Sequence, residues 1–212
     1  MEKELRVIND VDIGLQTRAD GKKYIEFYAI VFNSLSRNMG GWYERILPEA
    51  VANADLSRWC AKKNHDINFL LGTSWGGTAK YEIDARGVKT IVEVGDSTIW
   101  QDTIKEIERG DLRSASFEFY LNSGGSEWLE ETDAEGKTYE VRNVKSIAKI
   151  TDQSPVVEPA YLGTEGIKVA TREYNEYKTP KEEQEIEGET DTKQAENQLA
   201  IELELIDLAC KM

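Results

Sequence analysis

Two cysteines and one histidine among 212 residues leave little room for several kinds of chemistry. Cys60 and Cys210 stand far apart, so neither a disulfide framework nor a Cys/His metal cluster is expected, and no cofactor is called for. No apolar run reaches the roughly 18 residues that a spanning helix needs, and a membrane is not an expected partner. The opening stretch, residues 1–12, has no apolar core behind its basic residues, so a secretory leader is not expected and a reducing cytoplasm is. Basic residues are also scarce, with 26 Lys and Arg against 40 Asp and Glu and a net charge of −14. A chain of that sign is a poor partner for nucleic acid or an anionic surface. No internal repeat is visible.

What remains suffices for one ordinary domain: 40% of the residues are hydrophobic, enough to build a core without staples. The composition changes near residue 170. The last 42 residues carry 12 acidic and five basic side chains, half of the net charge. Residues 1–170 read as the domain, 171–194 as an acidic disordered linker, and 195–212 as an amphipathic helix in which Leu199, Leu203, Ile206 and Cys210 recur at helical spacing.

Within the domain, Tyr24–Asn33 is aromatic and β-branched and reads as a buried strand, with another near Leu5–Leu15. Trp42–Ile46 precedes Pro48, which suits the first turn of a helix running to about Trp59. Strand patterns recur at Phe69–Leu71, Thr78–Ile83 and Val88–Val94. Asp96 or Ser97 can cap a helix with Trp100, Ile104 and Ile107 on one face and Gly110 just past its end. Ala115–Leu121 alternates, placing Phe117 and Phe119 on one face and Ser116 and Glu118 on the other. Asn122–Glu135 is polar and reads as a hairpin or loop, followed by strands near Tyr139–Val144 and Ser146–Ile150. The fold class is α+β and strand-rich.

Any Ser-His or Cys-His mechanism must use His65, since no other histidine exists. It stands in Asn64-His65-Asp66, and a histidine in a polar tripeptide is by itself ordinary surface chemistry. Ser114 and Ser116, two apart on a strand, project from the same face, where small polar residues are also unremarkable. Asp152 opens Asp152-Gln153-Ser154-Pro155-Val156-Val157-Glu158-Pro159-Ala160, a strand end interrupted by prolines.

Taken in this order, these segments resemble the prohead serine proteases of tailed bacteriophages, which are related to the assemblins of herpesviruses. That family has a histidine in an Asn-His-Asp motif, a serine in a Ser-Phe-Gly-Phe-like strand, and an acidic residue opening an acid-x-Ser-x-Val-x-x-Pro-Ala segment. Tyr28–Asn33, Glu44–Ala50, Leu71-Gly72, Gly77-Thr78 and Arg109-Gly110 agree with the family around them. The resemblance runs from about residue 24 to 164. It implies an assemblin-like antiparallel β-barrel flanked by a few helices, and a serine endopeptidase with Ser116 as nucleophile, His65 as base and Asp152 as the third member. Ser114 remains the rival nucleophile, and Glu158 or Asp66 the alternatives to Asp152. The assemblins use a second histidine as the third member, and this chain has none. Glu118 stands where the family has glycine and puts a charged side chain on the Ser116 face.

The resemblance further implies substrates: the major capsid protein with its scaffold portion, and the protease itself. It implies action inside the assembling prohead in the host cytoplasm, with a homodimer as the assemblin precedent. Three other readings compete. One is a non-catalytic assembly protein on a decayed protease fold. Another is a sugar or peptide platform built from Trp42, Trp59, Trp75 and Trp100, and the third is a cysteine protease through Cys60, five residues before His65.

Overall fold

The computed structural model describes residues 2–8, 11, 13–157 and 168–179. The chain divides into two units, residues 1–170 and 171–212. Twelve strands are present among the described residues: β1 (Lys3–Ile8), β2 (Gly14–Thr17), β3 (Lys23–Val31), β4 (Trp42–Ile46), β5 (Cys60–Lys62), β6 (Leu70–Thr73), β7 (Ala79–Ile83), β8 (Gly87–Glu93), β9 (Ser114–Leu121), β10 (Ser126–Thr132), β11 (Thr138–Val144) and β12 (Ile147–Val156). Helix α1 (Thr98–Glu108) separates β8 from β9, and α2 (Lys168–Lys178) follows β12.

The strands form three sheets, ordered β1-β9-β12-β5-β6, β10-β11-β4 and β2-β3-β8-β7. None closes on itself among the described residues, and β12 with β5 and β11 with β4 run parallel. The strand-rich α+β class therefore holds, whereas the expected closed antiparallel barrel is replaced by open, partly parallel sheets. Sequence patterning reports which faces are apolar, and it carries no information on which strands become neighbours.

Buried side chains from β3, β8, β9 and β12 fill the space between the sheets, including Ile25, Phe27, Val88, Val92, Phe117, Phe119 and Ile150. Thr90 on β8 donates to Gln153 Oε1 on β12 at 2.6 Å, a buried polar tie between two sheets. Helix α1 ends as its sequence requires. Gly110 takes φ 78°, its N–H bonds the Ile107 carbonyl at 2.9 Å, and the Asp111 N–H bonds the Glu106 carbonyl at 2.8 Å. That is a Schellman turn, and it needs the left-handed residue that glycine supplies without steric cost.

Several expectations are corrected. The helix expected from Pro48 to about Trp59 is a single 3-10 turn, Pro48–Val51. By Asp55 the chain is already bridged to Lys149 of β12, and the Asp55 side chain accepts from the Ser57 N–H at 2.9 Å and the Ser57 hydroxyl at 2.6 Å, a local bond that competes with helix. Of the two forms expected for 122–135, the hairpin holds and the loop does not: β10 pairs antiparallel with β11. The first residues of the linker expected from residue 171 form most of α2, from 171 to 178; residues 180–194, the expected terminal helix 195–212 and Glu158 lie outside the described residues. Trp42, Trp59 and Trp100 are buried, and of the four proposed platform residues Trp75 alone is exposed. A binding platform of tryptophans is not present.

The five-stranded and three-stranded sheets are joined by charge. Arg142 on β11 reaches Glu4 on β1 at 2.8 Å and Glu44 on β4 at 2.9 Å. Arg6 on β1 contacts the same two carboxylates, each at 2.5 Å. All four side chains are buried. Burial pushes the Glu44 carboxyl up, but Arg6 and Arg142 outweigh it and hold Glu44 below the ordinary carboxylate range. Two cations and two anions balance, so deleting one partner strands an uncompensated buried charge. Arg142→Met, similar in length and uncharged, is expected to lower unfolding stability by about 3–5 kcal/mol. A urea melt with an unchanged midpoint would contradict this account of the junction.

Candidate active site

The central strand β12 brings the candidates together through its two neighbours. On one side β9 runs antiparallel to it, with Ser154 opposite Ser116 and Asp152 opposite Glu118. On the other side β5 runs parallel, with Cys60 opposite Asp152. β5 ends at Lys62, and the chain turns at once through a 3-10 turn, Lys63–His65. Asn64 and His65 both have positive φ, 55° and 59°, a left-handed conformation that asparagine adopts more readily than histidine. The Asn64 side chain secures the turn by accepting the Val157 N–H at 2.9 Å, just past the end of β12.

The turn delivers His65 between a serine and an aspartate. Its Nε2 lies 2.6 Å from Ser116 Oγ, and its Nδ1 lies 2.9 Å from Asp152 Oδ1. With Nδ1–H donating to the carboxylate, the neutral ring presents a bare Nε2 to the serine hydroxyl. Ser116 Oγ also lies 2.8 Å from the Arg6 carbonyl oxygen, so the single hydroxyl proton has two acceptors in reach. Ser116 and Asp152 are fully buried, while the His65 side chain keeps 17% of its surface.

The alternatives are placed elsewhere. Ser114 Oγ is buried without a hydrogen-bond partner and is paired in register with Val156, two positions beyond the Ser154–Ser116 pair. Asp66 accepts from the Asn68 N–H at 2.9 Å and so caps the next 3-10 turn, Ile67–Phe69. Glu118 is bonded to Lys3 at 2.9 Å.

Two residues to which sequence reasoning gave no role complete the surroundings of Asp152. The Lys62 ammonium lies 2.6 Å from Asp152 Oδ2, and the Ser154 hydroxyl donates to Oδ1. Ser154 was legible, since it stands two residues after Asp152 on the same strand face. Lys62 was not, because only the parallel pairing of β5 with β12 brings it there. Among the described residues no cluster of His, Cys, Asp and Glu is arranged to hold a metal ion.

Cys60 shares this neighbourhood, with Sγ 3.9 Å from Asp152 Oδ2. Burial, reinforced by the Asp152 charge, pushes its thiol up to about 11. A thiol held there is almost wholly protonated near neutrality, which is the wrong state for a nucleophile. At pH 8 iodoacetamide should modify Cys60 on the order of a hundredfold more slowly than an ordinary thiol, its rate still climbing above pH 10. A rate that levels off near pH 8.5, followed by mass spectrometry of the Cys60 peptide, would contradict this environment.

A sequence model of the caudovirus prohead serine protease family matches residues 10–180. Among solved structures, that of the capsid assembly protease of bacteriophage T4 aligns at 13% identity with a TM-score of 0.41, covering 74% of this chain and 100% of that one. No curated protein matches the chain.

Proposed function

The chain belongs to the caudovirus prohead serine protease family, and on that premise we propose that it cleaves virion precursor proteins by a Ser116-His65-Asp152 mechanism. The observation that supports the assignment most directly is the pair of His65 contacts, 2.6 Å to Ser116 Oγ and 2.9 Å to Asp152 Oδ1. An imidazole oriented by a carboxylate on one nitrogen and touching a hydroxyl with the other is the arrangement that converts serine into a nucleophile.

The steps follow from those atoms. As Ser116 Oγ bonds to the carbonyl carbon of the scissile peptide, its proton passes to His65 Nε2, and Asp152 stabilises the imidazolium. Collapse of the tetrahedral intermediate breaks the C–N bond, and Nε2 returns the proton to the leaving amine. Water then attacks the acyl-enzyme, giving up a proton to Nε2, and the second collapse restores the Ser116 hydroxyl and frees the new carboxylate.

The proposed substrates are the major capsid protein with its scaffold portion and the protease itself, cleaved inside the prohead in the host cytoplasm. Family membership supports that setting, and a homodimer rests on the assemblin precedent alone. The acidic segment beyond α2 is proposed to dock the enzyme onto scaffold or shell and to be cut away afterwards.

Intact-mass analysis tests the mechanism on wild type, Ser116→Ala, Ser114→Ala and His65→Ala, each incubated with the capsid–scaffold precursor. Fragments are expected from wild type and Ser114→Ala only, with losses on the order of 10⁶ in rate for the other two. Asp152→Asn is expected to retain cleavage at a rate lower by about 10⁴. Identical fragments from all four proteins would signal a contaminant, and none from any would favour a non-catalytic assembly protein. Deleting residues 180–212 should abolish incorporation into proheads while leaving peptide cleavage unchanged; normal incorporation would refute the docking role.

A further inference from the structure

Asp152 is a carboxylate with no exposed surface, and such a charge is costly to bury unless it is both paired and hydrogen-bonded. Its two oxygens are served differently. Oδ1 accepts from His65 at 2.9 Å and from the Ser154 hydroxyl. Oδ2 faces the Lys62 ammonium at 2.6 Å, with Cys60 Sγ at 3.9 Å. Lys62 is therefore the group that brings a permanent positive charge to Asp152. It is held at both ends, since its backbone N–H also donates to Ser154 Oγ at 2.9 Å and its side chain is only 12% exposed.

The other charged and titratable groups facing this point are few. Cys60 lies on the same strand as Lys62, and Glu118 stands across from Asp152 on β9. Glu118 is engaged by Lys3 from β1 at 2.9 Å. Burial opposes the Lys62 charge, but Asp152, followed by Cys60 and Glu118, outweighs it and holds the ammonium above its ordinary range.

Resting on the serine protease reading, we propose that Lys62 is a positioning residue that acts on His65 through Asp152. Its ammonium fixes the carboxylate through Oδ2, leaving Oδ1 aimed at His65 Nδ1. Its charge also offsets part of the negative field of Asp152 at the imidazole. Removing that charge would leave the carboxylate's field on the imidazole unopposed and favour the protonated ring, which cannot accept the Ser116 proton.

A single histidine in the chain gives one imidazole signal to follow by NMR. The titration is run on Ser116→Ala, which cannot cleave itself, alone and combined with Lys62→Gln or Lys62→Arg. Lys62→Gln is expected to move the His65 midpoint up by about one pH unit, the effect of losing a unit charge a few ångströms away. Lys62→Arg, which keeps the charge, should leave it in place. With Ser116 intact, the acid limb of the kcat/KM profile should shift with the midpoint. kcat at pH 6 should fall about tenfold in Lys62→Gln with KM little changed, and Lys62→Arg should recover it.

A folded Lys62→Gln protein whose His65 titrates like the parent overturns the proposal. So does a Lys62→Arg protein whose midpoint moves by a full unit, which keeps the test decisive if Lys62→Gln does not fold. A wild type that cleaves nothing would instead sink the protease reading, and the His65 titration would still decide whether Lys62 tunes the imidazole.

Discussion

The site is organised around one buried charge. Asp152 sits in the middle of β12 with no surface of its own, and a carboxylate there has to find its donors within the protein. They arrive from three directions: the ammonium of Lys62 on β5, the imidazole of His65 in the turn after β5, and the hydroxyl of Ser154 on its own strand. The parallel pairing of β5 with β12 supplies the first two together. Once His65 is held by Asp152, its other nitrogen falls on Ser116, because β9 presents that serine opposite Ser154. Strand register thus sets the separations that a triad needs, and packed strands hold such distances better than loops do.

The same solution appears where the sheets join. Glu4, Arg6, Glu44 and Arg142 form a buried, internally neutral cluster linking β1 to β4 and β11. One strand connects the two sites, since β1 contributes Glu4 and Arg6 to the cluster and the Arg6 carbonyl contacts Ser116 Oγ. Neighbouring side chains on a strand point to opposite faces. Anchoring β1 through Glu4 and Arg6 on one face therefore fixes where its backbone lies beside the serine. A chain with a net charge of −14 still buries its ions in balanced groups, because the interior penalises the local imbalance and not the total.

Much of this was legible in the residues, and what was not has a common cause. Periodicity located β3, β8, β9 and α1, since each has one strongly apolar face and clear terminal signals. Pro48 announced a helix that lasts one turn, and by Asp55 the chain is already bridged to Lys149 of β12. β10 was left open between hairpin and loop, because its polar sequence owes its extension to β11. His65, Ser116 and Asp152 were named by family resemblance, and the structure brings them within hydrogen-bond distance. Lys62 had no signal, because its role depends on which strand lies beside β12. Local chemistry is written along the chain, whereas pairing between distant strands is settled by the assembled core.

Glu118, the departure from the family's glycine, bears directly on the choice between a working and a decayed site. A carboxylate added beside Asp152 with nothing to answer it would raise the cost of keeping both ionised. It is answered: Lys3 bonds Glu118 at 2.9 Å, and Lys62 bonds Asp152 at 2.6 Å. Each acid on this face has a cation bonded to it, and Lys62 is drawn by the Glu118 charge as well. His65 is held in a left-handed turn with both ring nitrogens engaged. Strained conformations persist where the surroundings enforce them, and they gather at functional positions. The backbone at His65, the paired charges around Asp152 and the short contact to Ser116 are therefore what the proposed Ser116-His65-Asp152 mechanism requires.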